Sequence, residues 1–373
     1  MSAAPRPPAS DASSPTSQGP PTVLVIGAGL IGSYLAAHLS HRPDLCTTHI
    51  VARPRVVEAI KKVGSLSATS QAAPTTPVSI PVASLSLHDS LEAYRSSPAG
   101  ANPPTYIIVT VKRGAAGSVY DDLKEMGTAW SATSAVVPFM NGVGAAEQAR
   151  DALPQWTIME GMWPFNVIES SEQHYSQASG GDVYVDETEK GIALAKLLTQ
   201  AGIATKTSPN MEGILYGKLL INLHNAISAL TGLPIQQELA TRAARKIWAG
   251  CITEALDIYR ANGINPVSFL PYGIPYTVLP TILALPNFLF FPIATKMLSI
   301  DPRATSSMYE DLRHKRTTEI DYIQGQVVRL GKENGLHAPI CERIVALVKE
   351  EERKAEGVGH LTADNILDAL ELI

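Results

Sequence analysis

No block rich in lysine or arginine occurs anywhere in the chain, whose formal net charge is −5 at pH 7. A general affinity for nucleic acid is thereby excluded, and any acidic ligand has to be held by a few local groups. Cysteine is scarce as well. Cys46, Cys251 and Cys341 are odd in number, far apart and outside any metal-binding spacing. That excludes a disulfide framework and leaves no zinc motif, so no metal is expected. They read as small buried hydrophobes in a reducing compartment. The first twenty residues lack an apolar core and are rich in Ser, Pro and Ala. No signal peptide is expected there, and 1–20 reads as a disordered tail. A mitochondrial presequence would be arginine-rich and free of acids, whereas this stretch has Arg6 and then Asp11; a cytoplasmic place is favoured over a mitochondrial one. Between Ala261 and Thr295 charge is missing altogether, yet Pro271, Pro275, Pro280, Pro286 and Pro292 interrupt that run. They break it too often for one membrane-crossing helix. Short packed helices are expected instead, serving as a lid or as the contact of a homodimer; no basic face supports membrane binding.

What is present is a balance of 45% hydrophobic to 17% charged residues over 373 positions, enough to build two packed domains. Order begins at Thr22-Val23-Leu24-Val25-Ile26, an all-apolar run suited to a buried parallel strand. It leads directly into Gly27-Ala28-Gly29-Leu30-Ile31-Gly32. In that order Gly27 permits a tight turn, Gly29 lets the backbone approach a pyrophosphate, and Gly32 lets the following helix, running to about Leu39, pack on the strand. Alone the motif is weak; between a strand and a helix it favours dinucleotide binding over an ordinary glycine turn. A second strand, about Thr48 to Ala52, ends at Arg53 rather than at an acid. Arginine there suits the 2′-phosphate of NADP, the alternative being a loop cap ahead of Pro54. The run Thr105–Val111 is the next buried strand and delivers Lys112 to its carboxyl end, the edge where doubly wound sheets bind ligands. A further strand through Met140 brings Asn141 to the same edge. Its carboxamide can bridge the nicotinamide ribose and a substrate, or simply make an Asn-Gly turn. Residues 64–87 suggest one or two edge strands. Segments at Phe165–Ile168, His174–Ser176 and Asp182–Val185 read as antiparallel additions to the sheet. A helix over Glu187–Ala201 and a strand over Ile203–Thr207 complete a first domain, 21–208, and Ser208-Pro209-Asn210 makes the boundary.

Residues 209–373 read as wholly helical. One helix is expected from Met211 to Leu230, and at ~100° per residue Lys218, Asn222 and Asn225 share a narrow polar strip on it. A lysine and two carboxamides can protonate an oxygen and hold it, which suits carbonyl reduction. The bland alternative is a surface lysine among hydrated asparagines. A long helix over Thr241–Asn262 follows. In Ser306-Ser307-Met308-Tyr309-Glu310-Asp311, Ser307 and Glu310 fit a capping box, and the same helix start suits a substrate carboxylate. Ile320, Ile323, Val327 and Leu330 then define an apolar face. Glu319 lies roughly 70° from its centre and Asp321 roughly 130° away, so Glu319 is expected to point inward. Near Lys218 it would favour the protonated lysine; otherwise it pairs with Arg316 or another surface base.

Together GAGLIG, VTVK, MNGVG, GKLLIN and SSMYEDLRHKRTTEIDYIQG, in that order from about Val23 to Glu351, resemble the ketopantoate reductase (2-dehydropantoate 2-reductase) family. The first motif is shared by many dehydrogenases; the last two are specific. The resemblance implies an α/β fold, with an N-terminal Rossmann-like doubly wound sheet, a C-terminal all-helical domain and an active site in the cleft between them. It implies NADPH-dependent reduction of a 2-oxo acid, 2-dehydropantoate to pantoate in pantothenate biosynthesis. By motif, Lys218 matches the general acid and Glu319 the active-site glutamate. Asn222 and Ser307 match substrate contacts, with Asn225 beside them. Gly27 to Gly32, Lys112 and Asn141 match cofactor positions, Glu319 is expected to orient the ammonium or the ribose of the cofactor, and Arg53 is similar to an arginine some members use for NADP. Many members carry a second substrate asparagine two turns after the lysine; that position is Ala226 here. Two other readings stay open: the same hydride chemistry on another 2-oxo acid or a secondary-metabolite ketone, and a non-catalytic NADP-binding regulator.

Overall fold

The computed structural model describes residues 19–269, 273–295, 302 and 304–370; the tail expected over 1–20 lies outside them except for exposed Gly19 and Pro20. The strands are β1 (Thr22–Ile26), β2 (Thr47–Val51), β3 (Ser65–Thr69), β4 (Val78–Pro81), β5 (Ser86–His88), β6 (Tyr106–Val109), β7 (Ala135–Pro138), β8 (Thr157–Ile158), β9 (Gly161–Met162), β10 (Val167–Ser171), β11 (His174–Gln177), β12 (Val183–Asp186) and β13 (Thr205–Ser208). Six of them form a sheet in the order β5-β2-β1-β6-β7-β8, parallel throughout. The central run explains itself by period two. Val23 and Val25 join one buried cluster while Leu24 and Ile26 join another on the opposite face, so β1 is covered on both sides and needs an apolar residue at every position. The order steps outward from β1 in both directions, which leaves a crevice at the carboxyl ends of β1 and β6.

The three segments expected as additions to this sheet do not join it. β10 and β11 pair with the β3–β4 hairpin as a separate four-stranded sheet, and β12 pairs with β9 and β13 as a three-stranded one. The reason lies in the stretch left unresolved by pattern. Residues 65–81 supply β3, and β11 aligns parallel to it from His174↔Ser67 to Ser176↔Thr69, so the later strands find their partner there. Only β5 from that stretch becomes an edge of the main sheet.

From Met211 onward every regular element of the described chain is a helix. Helices Met211–Asn222, Asn225–Thr231, Arg242–Ala261, Gln324–Glu333 and Pro339–Lys354 share one apolar core that includes Leu219, Leu220, Ile252, Val327 and Ile344, each fully buried. Among the described residues no helix is long and apolar enough to cross a membrane. The single helix expected over 211–230 is instead two, divided at Leu223-His224. Two side chains from elsewhere take the carbonyls that a continuous helix would use. Trp248 Nε1 donates to Leu220 O at 3.0 Å, and the fully buried Gln324 donates through Nε2 to Leu223 O at 2.7 Å. The displaced N–H of His224 falls back on Ile221 O, and that of Ile227 on His224 O. A side chain inserted into the i→i−4 ladder is a recognised cause of a helix break.

Candidate active site

The glycine turn is built by contact rather than by flexibility alone. Gly27 sits at φ +101°, and a Cβ at Gly32 would lie 1.8 Å from Gly27 O, so the helix Leu30–Ser40 can approach β1 only with a glycine at 32. Thr110, at the end of β6, fixes the turn by donating to Gly27 O at 2.6 Å. A Cβ on Gly29 would meet nothing within 4 Å. The helix start behind it has no side-chain cap and no acid in its first turn. Uncapped N–H groups facing open space beside a glycine are what a pyrophosphate requires. These residues fit a dinucleotide. Arg53 follows β2 at the start of helix Pro54–Val63, exposed and making no cap bond. Its guanidinium has no protein partner among the described residues, which suits the capture of a phosphate.

Lys218 and Asn222 occupy the helix Met211–Asn222, one turn apart. That helix is pressed against the extended segment 264–269: Gly213 O accepts from Val267 N at 2.8 Å, and a Cβ on Gly217 would lie 2.1 Å from Val267 O. Lys218 Nζ donates to Pro164 O at 2.8 Å. Although the residue keeps part of its surface open, burial governs its ammonium and pushes the pKa from 10.5 down to about 8. A lysine so placed gives up its proton within reach of neutral pH, as a general acid must.

Glu319 is buried, and its carboxylate accepts from Asn141 Nδ2 at 3.0 Å and from the backbone N–H of Arg113 at 3.2 Å. Asn141 in turn offers Oδ1 to Asn222 Nδ2 at 3.5 Å. A polar chain therefore runs from Glu319 through Asn141 to Asn222, one turn from Lys218, and crosses from the sheet to the helices. The expected direct pairing of Glu319 with Lys218 is not made. The glutamate is held by neutral donors at the β6 and β7 ends, and the ammonium turns to a carbonyl beyond β9. Nor does Glu319 pair with Arg316, which lies 3.8 Å from Asp311 instead. Its inward orientation agrees with the apolar phase of Ile320, Ile323 and Val327, all fully buried, while Asp321 faces out and pairs with Lys349 at 2.6 Å. The local structure differs from the helix that phase suggested. A 3-10 turn spans Ile320–Tyr322, and the α-helix begins only at Gln324.

Close docking of this segment explains the Asn-Gly sequence. Gly142 has φ +83°, and a Cβ there would lie 2.4 Å from Tyr322 O. Arg113 completes the joint. It stacks 4.9 Å from the Tyr322 ring, donates to Val143 O at 3.0 Å and to Gln148 Oε1 at 2.5 Å, and also bonds Gly144 O. Burial lowers its pKa.

Two other expected contacts are already engaged. Lys112 Nζ pairs with Asp311 of helix Ser307–Arg313, a carboxyl raised in pKa by burial and drawn back by that ammonium. The cap of the same helix is Ser306, whose Oγ accepts from Tyr309 N at 3.0 Å and donates to Asn225 O at 2.9 Å. The Ser307–Glu310 capping box is therefore not formed, since Thr305 Oγ1 takes Glu310 at 2.7 Å. Ser307, left exposed at the helix start, keeps its hydroxyl for other partners. Asn225 is buried at the start of the second helix rather than on one straight strip with Lys218. Arg113, Asp311 and the Pro164 carbonyl were given no role by spacing. Only Arg113 left a trace, as a base directly after a strand-end lysine.

Two family descriptions match the chain: Ketopantoate reductase PanE/ApbA over residues 23–190, and Ketopantoate reductase PanE/ApbA C terminal over residues 210–352. A 2-dehydropantoate 2-reductase of Lactococcus lactis subsp. lactis (strain IL1403) is 24% identical over 345 residues, 90% of this chain and 99% of that protein. The crystal structure of a PanE/ApbA family ketopantoate reductase from Ralstonia eutropha JMP134 superposes with a TM-score of 0.71 at 24% identity, over 90% of this chain and 99% of its own. The ternary structure of D-mandelate dehydrogenase with NADH and anilino(oxo)acetate superposes with a TM-score of 0.70 at 19% identity, over the same shares. At these identities the two structures speak for the fold.

Proposed function

Since the chain belongs to the ketopantoate reductase PanE/ApbA family of oxidoreductases, we propose that it reduces a small 2-oxo acid with NADPH, 2-dehydropantoate to pantoate before others. The observation that carries this reading is the polar chain Asn222–Asn141–Glu319 beside a lysine whose pKa is lowered to about 8. When bound, the reduced nicotinamide supplies a hydride to the keto carbon. Lys218 gives the proton from Nζ to the oxygen on which negative charge develops, leaving the Pro164 carbonyl as it does so. Asn222 holds that oxygen through its carboxamide. Asn225 serves the same pocket from the neighbouring helix. Ser307 and the helix start it opens take the substrate carboxylate. Asn141 bridges substrate and ribose, and Glu319 orients both Asn141 and the cofactor ribose. Fixing these groups in advance makes proximity a large share of the rate. Gly27 through Gly32 seat the pyrophosphate, Arg53 reads the 2′-phosphate, and Lys112 serves the cofactor once Asp311 releases it. With this reading go a cofactor-binding unit over 21–208, a catalytic helical unit over 209–373, and a cytoplasmic site of action.

A second reading, the same reaction on a different 2-oxo acid, is favoured by one residue. Ala226 is fully buried two turns after Lys218, at the position where the resemblance to the family implies a second substrate asparagine. NADPH consumption measured with 2-dehydropantoate, with a panel of 2-oxo acids and without substrate separates the cases. The highest kcat/KM on 2-dehydropantoate is expected. A clear preference for another acid selects the second reading. NADPH binding without turnover on any member of the panel overturns both and leaves a regulator.

A further inference from the structure

The charge-free run after Ala261 reaches the lysine helix before it forms any helix of its own. It is extended over residues 264–269 and only later folds as short helices, Leu279–Ala284 and Asn287–Ile293. Ile264 N donates to Tyr259 O at 2.9 Å where the run leaves helix Arg242–Ala261. Beyond it the backbone lies directly on Gly213 and Gly217, one turn apart on helix Met211–Asn222. A Cβ at Gly213 would lie 2.7 Å from Asn265 O, and one at Gly217 2.1 Å from Val267 O, so glycine is required at both for so close an approach. The stretch ends at Phe269. Its N–H donates to the hydroxyl of buried Tyr276 at 3.2 Å, and Ser268 Oγ donates to Ile274 O at 2.6 Å, which together fix the place of the ring.

That ring covers the flank of Lys218. Its Cε2 would lie 3.2 Å from a Cβ on Gly217, the residue before the lysine. On its other side it meets Tyr184 edge to face, with ring centroids 5.8 Å apart. The period of the strand explains why Tyr184 is there. Val183 and Val185 are fully buried in the core under the sheets, so Tyr184 between them turns to the helices. Tyr184 pairs in register with Met162 of β9, and two residues past Met162 is Pro164, whose carbonyl takes the Lys218 ammonium. The contacts therefore close on themselves, from Gly217 through Phe269, Tyr184 and Pro164 to Nζ. The lysine supplies the one charge in that circuit.

We propose that Phe269, backed by Tyr184, is a positioning residue for the proton transfer: its ring excludes water from the stem of Lys218 and so keeps the ammonium a ready donor. The inference rests on the reductase reading in taking that proton as a reactant. Burial alone accounts for the depressed pKa of the lysine, and the charged groups on the elements packed around it are turned elsewhere. Glu212 is exposed, more than a turn back on the same helix. Asp182 pairs with Lys206 at 2.5 Å, Asp186 accepts from the Glu160 N–H at 3.4 Å, and Glu160 pairs with Arg150 at 3.2 Å. Glu319 is occupied by Asn141 and the Arg113 N–H. The phenols near by are Tyr184 itself and Tyr216, the latter raised in pKa by burial. The lack of charge between Ala261 and Thr295 suits this place. A carboxylate on residues 264–269 would hold the ammonium charged, and a base would drive its proton off early; apolar cover lowers the pKa without a fixed countercharge.

The test reads the lysine itself, on the full chain without cofactor. Labelling of Lys218 by acetic anhydride from roughly pH 6 to 11, quantified by mass spectrometry, gives the midpoint of its ionisation. kcat/KM for NADPH-dependent reduction is followed over the same range. The parent midpoint should lie at about 8. In Phe269→Ala and in Tyr184→Ala it should rise to about 9 or above, with the alkaline limb of kcat/KM moving alongside and NADPH binding unchanged. Phe269→Leu, which restores apolar cover, should stay with the parent. The two alanine variants act from opposite sides, so the test stands should circular dichroism show that one of them does not fold. A parent midpoint at the ordinary 10.5 overturns the inference. So does a midpoint that neither alanine variant moves, or one that Phe269→Leu moves as far as Phe269→Ala. A midpoint that shifts as expected while no 2-oxo acid is reduced sinks the reductase reading alone, and turnover with an unmoved midpoint sinks this inference alone.

Discussion

Replacing Lys218 by methionine should abolish turnover and yet stabilise the protein at neutral pH. Burial depresses the lysine's pKa from 10.5 to about 8, and at 1.36 kcal/mol per unit the folded state spends about 3 kcal/mol to keep that ammonium charged. Methionine has a similar length and an apolar stem, so the packing is preserved while the charge is removed. It also loses the bond to Pro164 O at 2.8 Å, worth ~1 kcal/mol when the donor is neutral. The net gain at pH 7 is therefore about 2 kcal/mol.

The sign is checked by pH. Below about 8 the folded and unfolded chains both carry the proton, so the lysine's penalty is present in full and constant. Between about 8 and 10.5 the unfolded chain binds more protons than the folded one, and the parent's stability rises as pH rises. Thermal or urea melts of parent and Lys218→Met across this range should show the variant ahead at pH 7 and the advantage gone by the alkaline end. A variant less stable at pH 7, or an offset that does not change with pH, would show that the ammonium is not desolvated, and the general-acid argument would lose its physical basis.

The same ionisation governs the rate. kcat/KM for reduction should fall about tenfold per unit above pH ~8 as the acid is lost, while the reverse oxidation, which needs the free amine, should rise through the same range; steady-state profiles in both directions check it, and a flat reductive profile to pH 10 refutes it. Arg53→Ala should weaken NADPH binding on the order of tenfold to a hundredfold, with NADH binding nearly unchanged, because only the 2′-phosphate loses its partner. Fluorescence titration with both nucleotides decides, and equal losses for the two would remove Arg53 from the phosphate site. In Glu319→Gln one acceptor oxygen must serve both the Arg113 N–H and the Asn141 Nδ2. One buried donor is left unpaired, costing about 1–3 kcal/mol of stability, and with Asn141 no longer held in place kcat/KM should fall on the order of tenfold or more. Unchanged kinetics would reduce Glu319 to a structural residue.

What the sequence made legible was local in cause. Gly27 and Gly32 could be read because their reasons, a positive φ and a helix crossing its own turn, lie within six residues. The inward turn of Glu319 could be read even though the expected helix was absent there. The apolar phase of Ile320, Ile323 and Val327 is imposed by the core they enter, and a 3-10 turn leading into a helix keeps that phase nearly intact. The features that escaped have distant causes. Nothing in the run from Met211 to Leu230 announces a break, because the groups that make it are Trp248 and Gln324, a side chain from each of two later helices. Lys112 finds its carboxylate 199 residues away, and β11 finds β3 across a hundred residues of intervening chain. Gln324 breaks the lysine helix just past Asn222 and belongs to the element that follows Glu319. The residue that shapes the helix of Lys218 and the residue that closes the polar chain thus lie in one continuous segment. A rearrangement that withdrew Glu319 from Asn141 would also pull on Leu223 O, and so the helix break is best understood as part of how the two halves of the site are kept in register.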